Sequence, residues 1–232
     1  MVFTERARVV FLTFTELQSF KVMVVYLLMI LLSTVYQKMT QPLSLRKVLV
    51  PYNYLCSATS VVTMVLMIVG MIQSQSIYLK ESVPAIETAF FLYWIVKNIE
   101  LLDTVFMILR HKRRQISFLH VYHHASMVVL SDFAYHYCPW PGIAFGLSIN
   151  SFVHVCLYYY YGYTAQHPEN PPPWKKNITQ LQIIQFLVGL VHNTIGYLHY
   201  GFCIYSTFYG VSMLYLFSSF YYGAFIKKKK SV

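Results

Sequence analysis

Charge is scarce in this chain. Only 8 of its 232 residues are Asp or Glu, 18 are Lys or Arg, and the charged share is 11%. A water-soluble domain carries about 25%, so a soluble globular protein is excluded. With 57% hydrophobic residues and a positive mean hydropathy, the chain reads as a polytopic membrane protein. The connectors between apolar runs are short, which leaves no room for a separate soluble domain, and 1–232 reads as one domain. The net charge of +10 does not form a basic stripe interleaved with stacking aromatics, so no nucleic-acid partner is expected. No internal repeat is visible, and no pair of interrupted helices of the transporter kind. No cleavable signal peptide is expected either. Residues 1–21 are mixed and polar, with Glu5, Arg6, Arg8 and Glu16, so the first helix would act as the insertion signal.

Long apolar runs are what the chain does have. Seven spans are expected, at 22–37, 53–72, 85–109, 116–137, 142–163, 178–200 and 203–226, each near the ~20 residues that cross the hydrocarbon. The third and fourth are less apolar than a lipid-facing helix, so other helices should shield them. Pro139-Trp140-Pro141-Gly142 and the Pro-rich stretch 169–174 read as connectors, because proline ends helices. One set of connectors holds Lys38, Arg46, Lys47, Arg110, Lys112, Arg113, Arg114, Lys175, Lys176 and the lysines from Lys227 to Lys230. The opposite set holds Arg6, Arg8, Lys21 and Lys80. By the positive-inside rule the first set is cytosolic. The C-terminus is then cytosolic and the N-terminal segment 1–21 lies on the other side, which an odd number of spans satisfies. The expected fold class is all-α, a polytopic membrane protein with seven transmembrane helices. Lys229 and Lys230 stand fourth and third from the end and match the dilysine retrieval signal of endoplasmic reticulum membrane proteins; the alternative is a plain positive-inside anchor. Of the cysteines, Cys56, Cys138, Cys156 and Cys203, none form a metal-type CxxC pair. Cys138 and Cys203 fall in or near loops on the lumenal side, where a disulfide and free thiols are both open.

Four polar constellations interrupt the apolar runs. His120, His123 and His124 share one helix face at i, i+3 and i+4. Ionisable groups at membrane depth are costly and mark a functional site by default; the competing reading is polar glue between helices. Lys97, Glu100 and Asp103 lie along an arc of about 120° on the third span. They read either as a structural ion-pair network or, for Asp103, as a carboxylate that orients a histidine. Asn150 and His154 stand at i, i+4 on the fifth span, with Tyr158 one turn on. The run Tyr158 to Tyr161 reads partly as an interfacial belt with one or two rings facing inward. On the sixth span Thr179, Gln182, Gln185, Gly189, His192, Asn193 and Gly196 form one broad stripe. It either lines a channel or packs closely, and close packing accounts best for the glycines.

These stretches resemble the signature motifs of the very-long-chain fatty acid elongase (ELO) family, the condensing enzymes of the endoplasmic reticulum. Lys97 to Thr104 matches KxxExxDT, and Gln115 to His124 matches the HxxHH region and its approach. Asn150 to Tyr161 matches NSxxHxxMYxYY, with Leu157 in place of Met, and Thr179 to Phe186 matches TxxQxxQF. The resemblance covers nearly the whole chain from the first span onward. Two departures stand out: the loop between the second and third spans lacks an expected cysteine that would pair with Cys203, and a tryptophan pair is reduced to Trp174.

The resemblance implies condensation of malonyl-CoA with a long-chain acyl-CoA to give a 3-ketoacyl-CoA two carbons longer. No cofactor is needed beyond these two substrates, and no metal. The mechanism it suggests needs no cysteine. His123 would attack the thioester and carry the acyl group. His124, His154 and Asn150 would bind the enolate oxygen or move protons; His120 and Asp103 would orient the nucleophile, and Glu100 completes the catalytic set. Lys97, Lys175, Lys176, Arg113 and Arg114 would meet CoA phosphates. Tyr158, Gln182 and Gln185 complete the substrate-binding set, and the acyl tail would lie in a central tunnel between helices. Expected partners are membrane lipid and the ketoacyl reductase, dehydratase and enoyl reductase of the elongation cycle; a homodimer is also open. The His-Val-Tyr-His-His form of the box leans towards long or polyunsaturated chains. The competing chemistry is a di-iron site, but that needs about eight ligands in several histidine boxes, and this chain has one box.

Overall fold

The computed structural model describes residues 12–227. Their regular structure is all helical, with no strand among the described residues. Residues 12–16 form a helical stretch that breaks at Leu17. Eight helices follow: α1 Gln18–Met39, α2 Arg46–Gln73, α3 Pro84–Ile99, α4 Leu102–Leu109, α5 Phe118–Tyr137, α6 Pro141–Gln166, α7 Lys175–Tyr200 and α8 Ile204–Tyr221. A single 3-10 turn, Arg113–Gln115, precedes α5, and a π-helical turn, Tyr222–Ile226, closes the chain's last helix. The lysines of the dilysine motif, Lys229 and Lys230, and residues 1–11 of the N-terminal segment lie outside the described residues.

The all-α expectation holds. Of the seven expected spans, the first, second, fifth and sixth become α1, α2, α6 and α7, the helices long and apolar enough to cross a membrane. The chain is therefore a multi-pass membrane protein. The other three expected spans fall short for visible reasons. The third is not one helix: it is cut at Glu100-Leu101 into α3 of 16 residues and α4 of 8. The fourth, α5, has 20 residues but carries the histidine box, Asp132 and His136. The seventh, α8, is 18 residues rich in Tyr and Ser.

The chain divides into two compact units. One joins residues up to Leu45 with Phe90–Cys138; the other joins Arg46–Ala89 with residues from Pro139 on. In the first unit, α1 packs on α5. Leu17, Tyr26, Leu101, Ala125, Val128 and Val129 form its buried core, with Phe14, Met23, Ile30 and Phe133 around them. The break at Leu17 has a polar partner: buried Asp132 accepts the Ser19 backbone N–H at 3.0 Å, and Trp94 donates its indole N–H to Ser19 Oγ at 2.8 Å. Asp132 thus satisfies one of the donors that every helix N-terminus leaves open. Its other oxygen lies 2.8 Å from His136 Nδ1.

In the second unit, α2 lies along α6. The buried face of α2 carries a run of small residues, Cys56, Ser57, Ser60, Thr63 and Gly70, beside Leu49, Tyr52, Asn53 and Met67; small residues let two membrane helices approach closely. Ser57 donates to the Val155 carbonyl at 3.0 Å, and Thr63 donates to Ser151 at 3.4 Å. At one end of this unit four rings stack in sequence. Tyr200 lies 4.4 Å from Tyr78, Tyr78 4.7 Å from His192, and His192 4.2 Å from Phe145. The His192 Nε2 sits 2.9 Å from the Gly142 carbonyl.

Gly201 ends α7 in the left-handed region at φ 67°, which glycine adopts without strain. The turn carries Phe202 back onto Gly142 and Gly196. Close packing therefore explains Gly196, but not Gly189, which faces open space. A methyl at Gly196 would overlap the Phe202 ring, so Gly196→Ala should cost about 1–3 kcal/mol. Gly189→Ala should be neutral or stabilise by up to about 1 kcal/mol. Thermal unfolding of the two variants in the same detergent tests the pair.

No disulfide joins the four cysteines, all of them described residues. Of the two outcomes open to Cys138 and Cys203, the structure has thiols.

Candidate active site

The site in the first unit begins with a helix cap. Ser117 is extended and its Oγ accepts the backbone N–H of His120 at 3.2 Å, as a capping serine does. This starts α5 at Phe118 and puts all three histidines in its first two turns. Their rings then meet as the i, i+3, i+4 spacing requires: His120 and His124 centroids are 4.3 Å apart, and His123 and His124 5.5 Å. His124 is buried at 8% exposure.

The Lys97, Glu100, Asp103 arc sits at the break between α3 and α4. Here the backbone tightens: Leu101 donates to the Asn98 carbonyl, Asp103 to Glu100 and Thr104 to Leu101, all i to i−3. Such a turn brings side chains three apart into line. Lys97 Nζ accordingly lies 2.9 Å from both Glu100 carboxylate oxygens, with the two side chains 2% and 1% exposed. The ammonium also lies 4.7 Å from the Tyr93 ring centroid. His124 is within electrostatic reach of both charges. The Lys97 ammonium, expected to meet CoA phosphates, is thus buried and paired with Glu100 in this structure.

Asp103 is half-buried, while its neighbour Thr104 is fully buried and reaches His120. The Thr104 Oγ1 lies 2.7 Å from His120 Nε2 and 2.9 Å from the Tyr26 phenol oxygen. Neither Thr104 nor Tyr26 stands out in the sequence as a site residue. Thr104 ends the KxxExxDT stretch, which was the signal available. Tyr26 sits in an ordinary apolar run and gave none. Arg113 and Arg114 are exposed between α4 and α5; Arg113 donates to Ser33 Oγ at 3.0 Å.

The second unit carries its own polar stripe. Asn150 on α6 donates to Gln185 on α7 at 3.2 Å. His154 and Tyr158 are 5% and 1% exposed with ring centroids 5.6 Å apart. Two rings of the tyrosine run face inward, within the one or two expected: Tyr158 and Tyr160 are buried, Tyr159 and Tyr161 exposed. Gln182 is half-buried, and Lys175 and Lys176 are exposed at the start of α7. Among the described residues no three His, Cys, Asp or Glu side chains converge in a way that could hold a metal ion.

Fold and site together define a helical multi-pass membrane protein with a histidine cluster built into the first two turns of one helix. The family described as ELO: GNS1/SUR4 family matches residues 12–232. The chain is 33% identical to very long chain fatty acid elongase 5 of Homo sapiens, over 95% of this chain and 78% of that protein. It is 33% identical to very long chain fatty acid elongase 4 of Homo sapiens over 88% of this chain and 70% of that one. The same identity holds to very long chain fatty acid elongase 2 of Rattus norvegicus, over 96% and 85%. The chain belongs to the ELO family.

Proposed function

We propose that this chain is the condensing acyltransferase of a fatty acid elongation cycle, a very-long-chain 3-oxoacyl-CoA synthase. The observation that carries the reading is the packed cluster of three imidazoles at the start of α5, in a chain whose relatives are named very long chain fatty acid elongases. In the first step an imidazole nitrogen of His123 attacks the acyl-CoA carbonyl carbon. The C–S bond breaks, and CoA leaves with the proton that the imidazole sheds. In the second step malonyl-CoA loses CO2 by C–C cleavage, and the resulting enolate carbon attacks the acyl-imidazole. The C–N bond breaks, the 3-ketoacyl-CoA departs and His123 is restored. The balance is acyl-CoA, malonyl-CoA and one proton in; 3-ketoacyl-CoA, CO2 and CoA out.

His124, with Glu100 in reach, would handle proton movement at the box, and Asp103 and His120 would orient it. Asn150, His154, Tyr158, Gln182 and Gln185, with Lys175, Lys176, Arg113 and Arg114, are proposed to serve the CoA substrates in the same reaction. The further parts of the proposal are seven spans with the acyl tail lodged among the helices, an endoplasmic reticulum membrane location with the N-terminus lumenal and the C-terminus cytosolic, and work alongside the reductases and dehydratase of the cycle.

Microsomes expressing the chain test this. Offered malonyl-CoA and acyl-CoAs of graded length, they should yield a product two carbons longer for a limited range of lengths. No product from protein shown to be folded and membrane-inserted would sink the reading, and iron analysis of the purified protein would then be the next measurement.

A further inference from the structure

His120, the first residue of the box, is held from behind by a chain of two hydroxyls. Its Nε2 meets Thr104 Oγ1 at 2.7 Å, and Thr104 Oγ1 meets the Tyr26 phenol at 2.9 Å. The three residues come from three elements of one unit, α5, α4 and α1. Thr104 is 0% and Tyr26 3% exposed, so bulk water cannot substitute for either partner.

The direction of this chain follows from counting protons. Each hydroxyl has one proton to give and two lone pairs, and a neutral imidazole has one N–H and one acceptor nitrogen. Two orders are available. If His120 gave its Nε2 proton to Thr104, Thr104 would give its own to Tyr26. The phenol proton would then be left over among Leu101, Ala125 and Val128, the apolar core to which Tyr26 belongs. A buried donor without an acceptor is costly, and orphan donors are rarer than under-used acceptors. In the opposite order Tyr26 donates to Thr104 and Thr104 donates to Nε2, so both hydroxyl protons are placed, and the remaining proton is the His120 Nδ1–H, on a half-buried ring outside the apolar core.

We propose that Tyr26 and Thr104 are positioning residues that hold His120 as the tautomer protonated on Nδ1 and, through its ring, set the neighbouring imidazoles for acyl transfer. This rests on the box being the acyl-transfer site. The Nε2 lone pair of His120 is occupied by the Thr104 hydroxyl, so that nitrogen is not the one that attacks the thioester. Its ring lies 4.3 Å from His124, which in turn lies 5.5 Å from His123. Fixing the first ring therefore restricts the two that follow. The tie also explains why the KxxExxDT stretch ends in a hydroxyl residue. The tightened turn at Glu100-Leu101 turns Thr104 inward, one step past the Lys97–Glu100 pair.

The test uses the full chain purified in detergent. Thr104→Val keeps the shape and removes the donor, Thr104→Ser keeps the donor, and Tyr26→Phe removes only the head of the chain. Thr104→Val should lower kcat for condensation about tenfold, the worth of one hydrogen bond to a reacting group. The KM for acyl-CoA should stay within about twofold. Thr104→Ser should recover most of the rate, and Tyr26→Phe should fall between the two. Thr104→Val should cost nothing further once His120 is alanine, because the hydroxyl acts only through that ring. Nitrogen NMR of histidine-labelled wild-type protein should show one imidazole with a proton on Nδ1 and an accepting Nε2, assigned by its loss in His120→Ala.

A protonated Nε2 on His120 overturns the proposal, as does a Thr104→Val enzyme at the wild-type rate or one equally impaired without His120. If Thr104→Val does not fold, the wild-type spectrum and Tyr26→Phe decide. If wild-type protein makes no 3-ketoacyl-CoA at all, the functional reading fails, while the tautomer signal still judges the hydroxyl chain by itself.

Discussion

Replacing His123 by alanine should abolish condensation, lowering the rate by at least about a thousandfold, as loss of a covalent nucleophile does in other acyl-transfer enzymes. The fold should survive. The position is in a helix interior, where alanine is the most favourable residue, and His123 is not among the residues of the buried core that holds Leu101, Ala125, Val128 and Val129. The mechanism also predicts a species that rate measurements alone do not see. Wild-type protein given acyl-CoA without malonyl-CoA should gain the mass of one acyl group, with release of one CoA. Peptide mapping should place that group on His123, and the His123→Ala protein should not acquire it. An adduct found on His124 would move the nucleophile by one residue and keep the chemistry. A variant that condenses at the wild-type rate would remove covalent catalysis by the box altogether.

Periodicity anticipated the clustering of the three imidazoles and described their surroundings poorly. The i, i+3, i+4 spacing of the histidines survives into the structure because α5 is regular and Ser117 fixes its start. The tyrosine run goes beyond the pattern: Tyr158 and Tyr160 are both buried although they lie about 200° apart around the helix, so neighbours cover α6 on more than one side. The break at Glu100-Leu101 was invisible because no Pro or Gly marks it; the tightened turn goes with a buried ion pair between residues three apart. That break brings Thr104 to the box. The sequence pattern pointed to Asp103 as a histidine's partner and passed over Thr104, which the turn brings to His120. Tyr26 illustrates a different limit. Its role depends on α1 packing against α4 and α5, a tertiary fact that no local pattern carries. The two glycines of α7 make the same point: one stripe holds both, yet only Gly196 meets Phe202, because the chain doubles back after Gly201.

Breaking the Lys97–Glu100 pair should be the most damaging change to the fold of the first unit. The two side chains are 2% and 1% exposed and meet at 2.9 Å. Lys97→Met leaves a carboxylate in the interior without its ammonium, and Glu100→Gln leaves the ammonium without its carboxylate. Each should lose about 3–5 kcal/mol, the usual cost of stranding one member of a buried pair. The double variant Lys97→Met with Glu100→Gln should recover most of that loss, since an uncharged pair of similar volume has no ion to strand. Unfolding midpoints of the four proteins in one detergent read this directly; a double variant as unstable as the worse single one would mean that the charges themselves hold the turn. Activity then separates structure from chemistry. His124 lies within electrostatic reach of both groups, and in the proposed mechanism the pair contributes to the charge balance around the imidazoles. The double variant should therefore fold like the wild type and still condense at least about tenfold more slowly, a change in barrier of one hydrogen-bond equivalent. Full recovery of rate together with stability would confine Lys97 and Glu100 to holding the α3–α4 turn, and would leave the box to work with His120, Thr104 and Tyr26 alone.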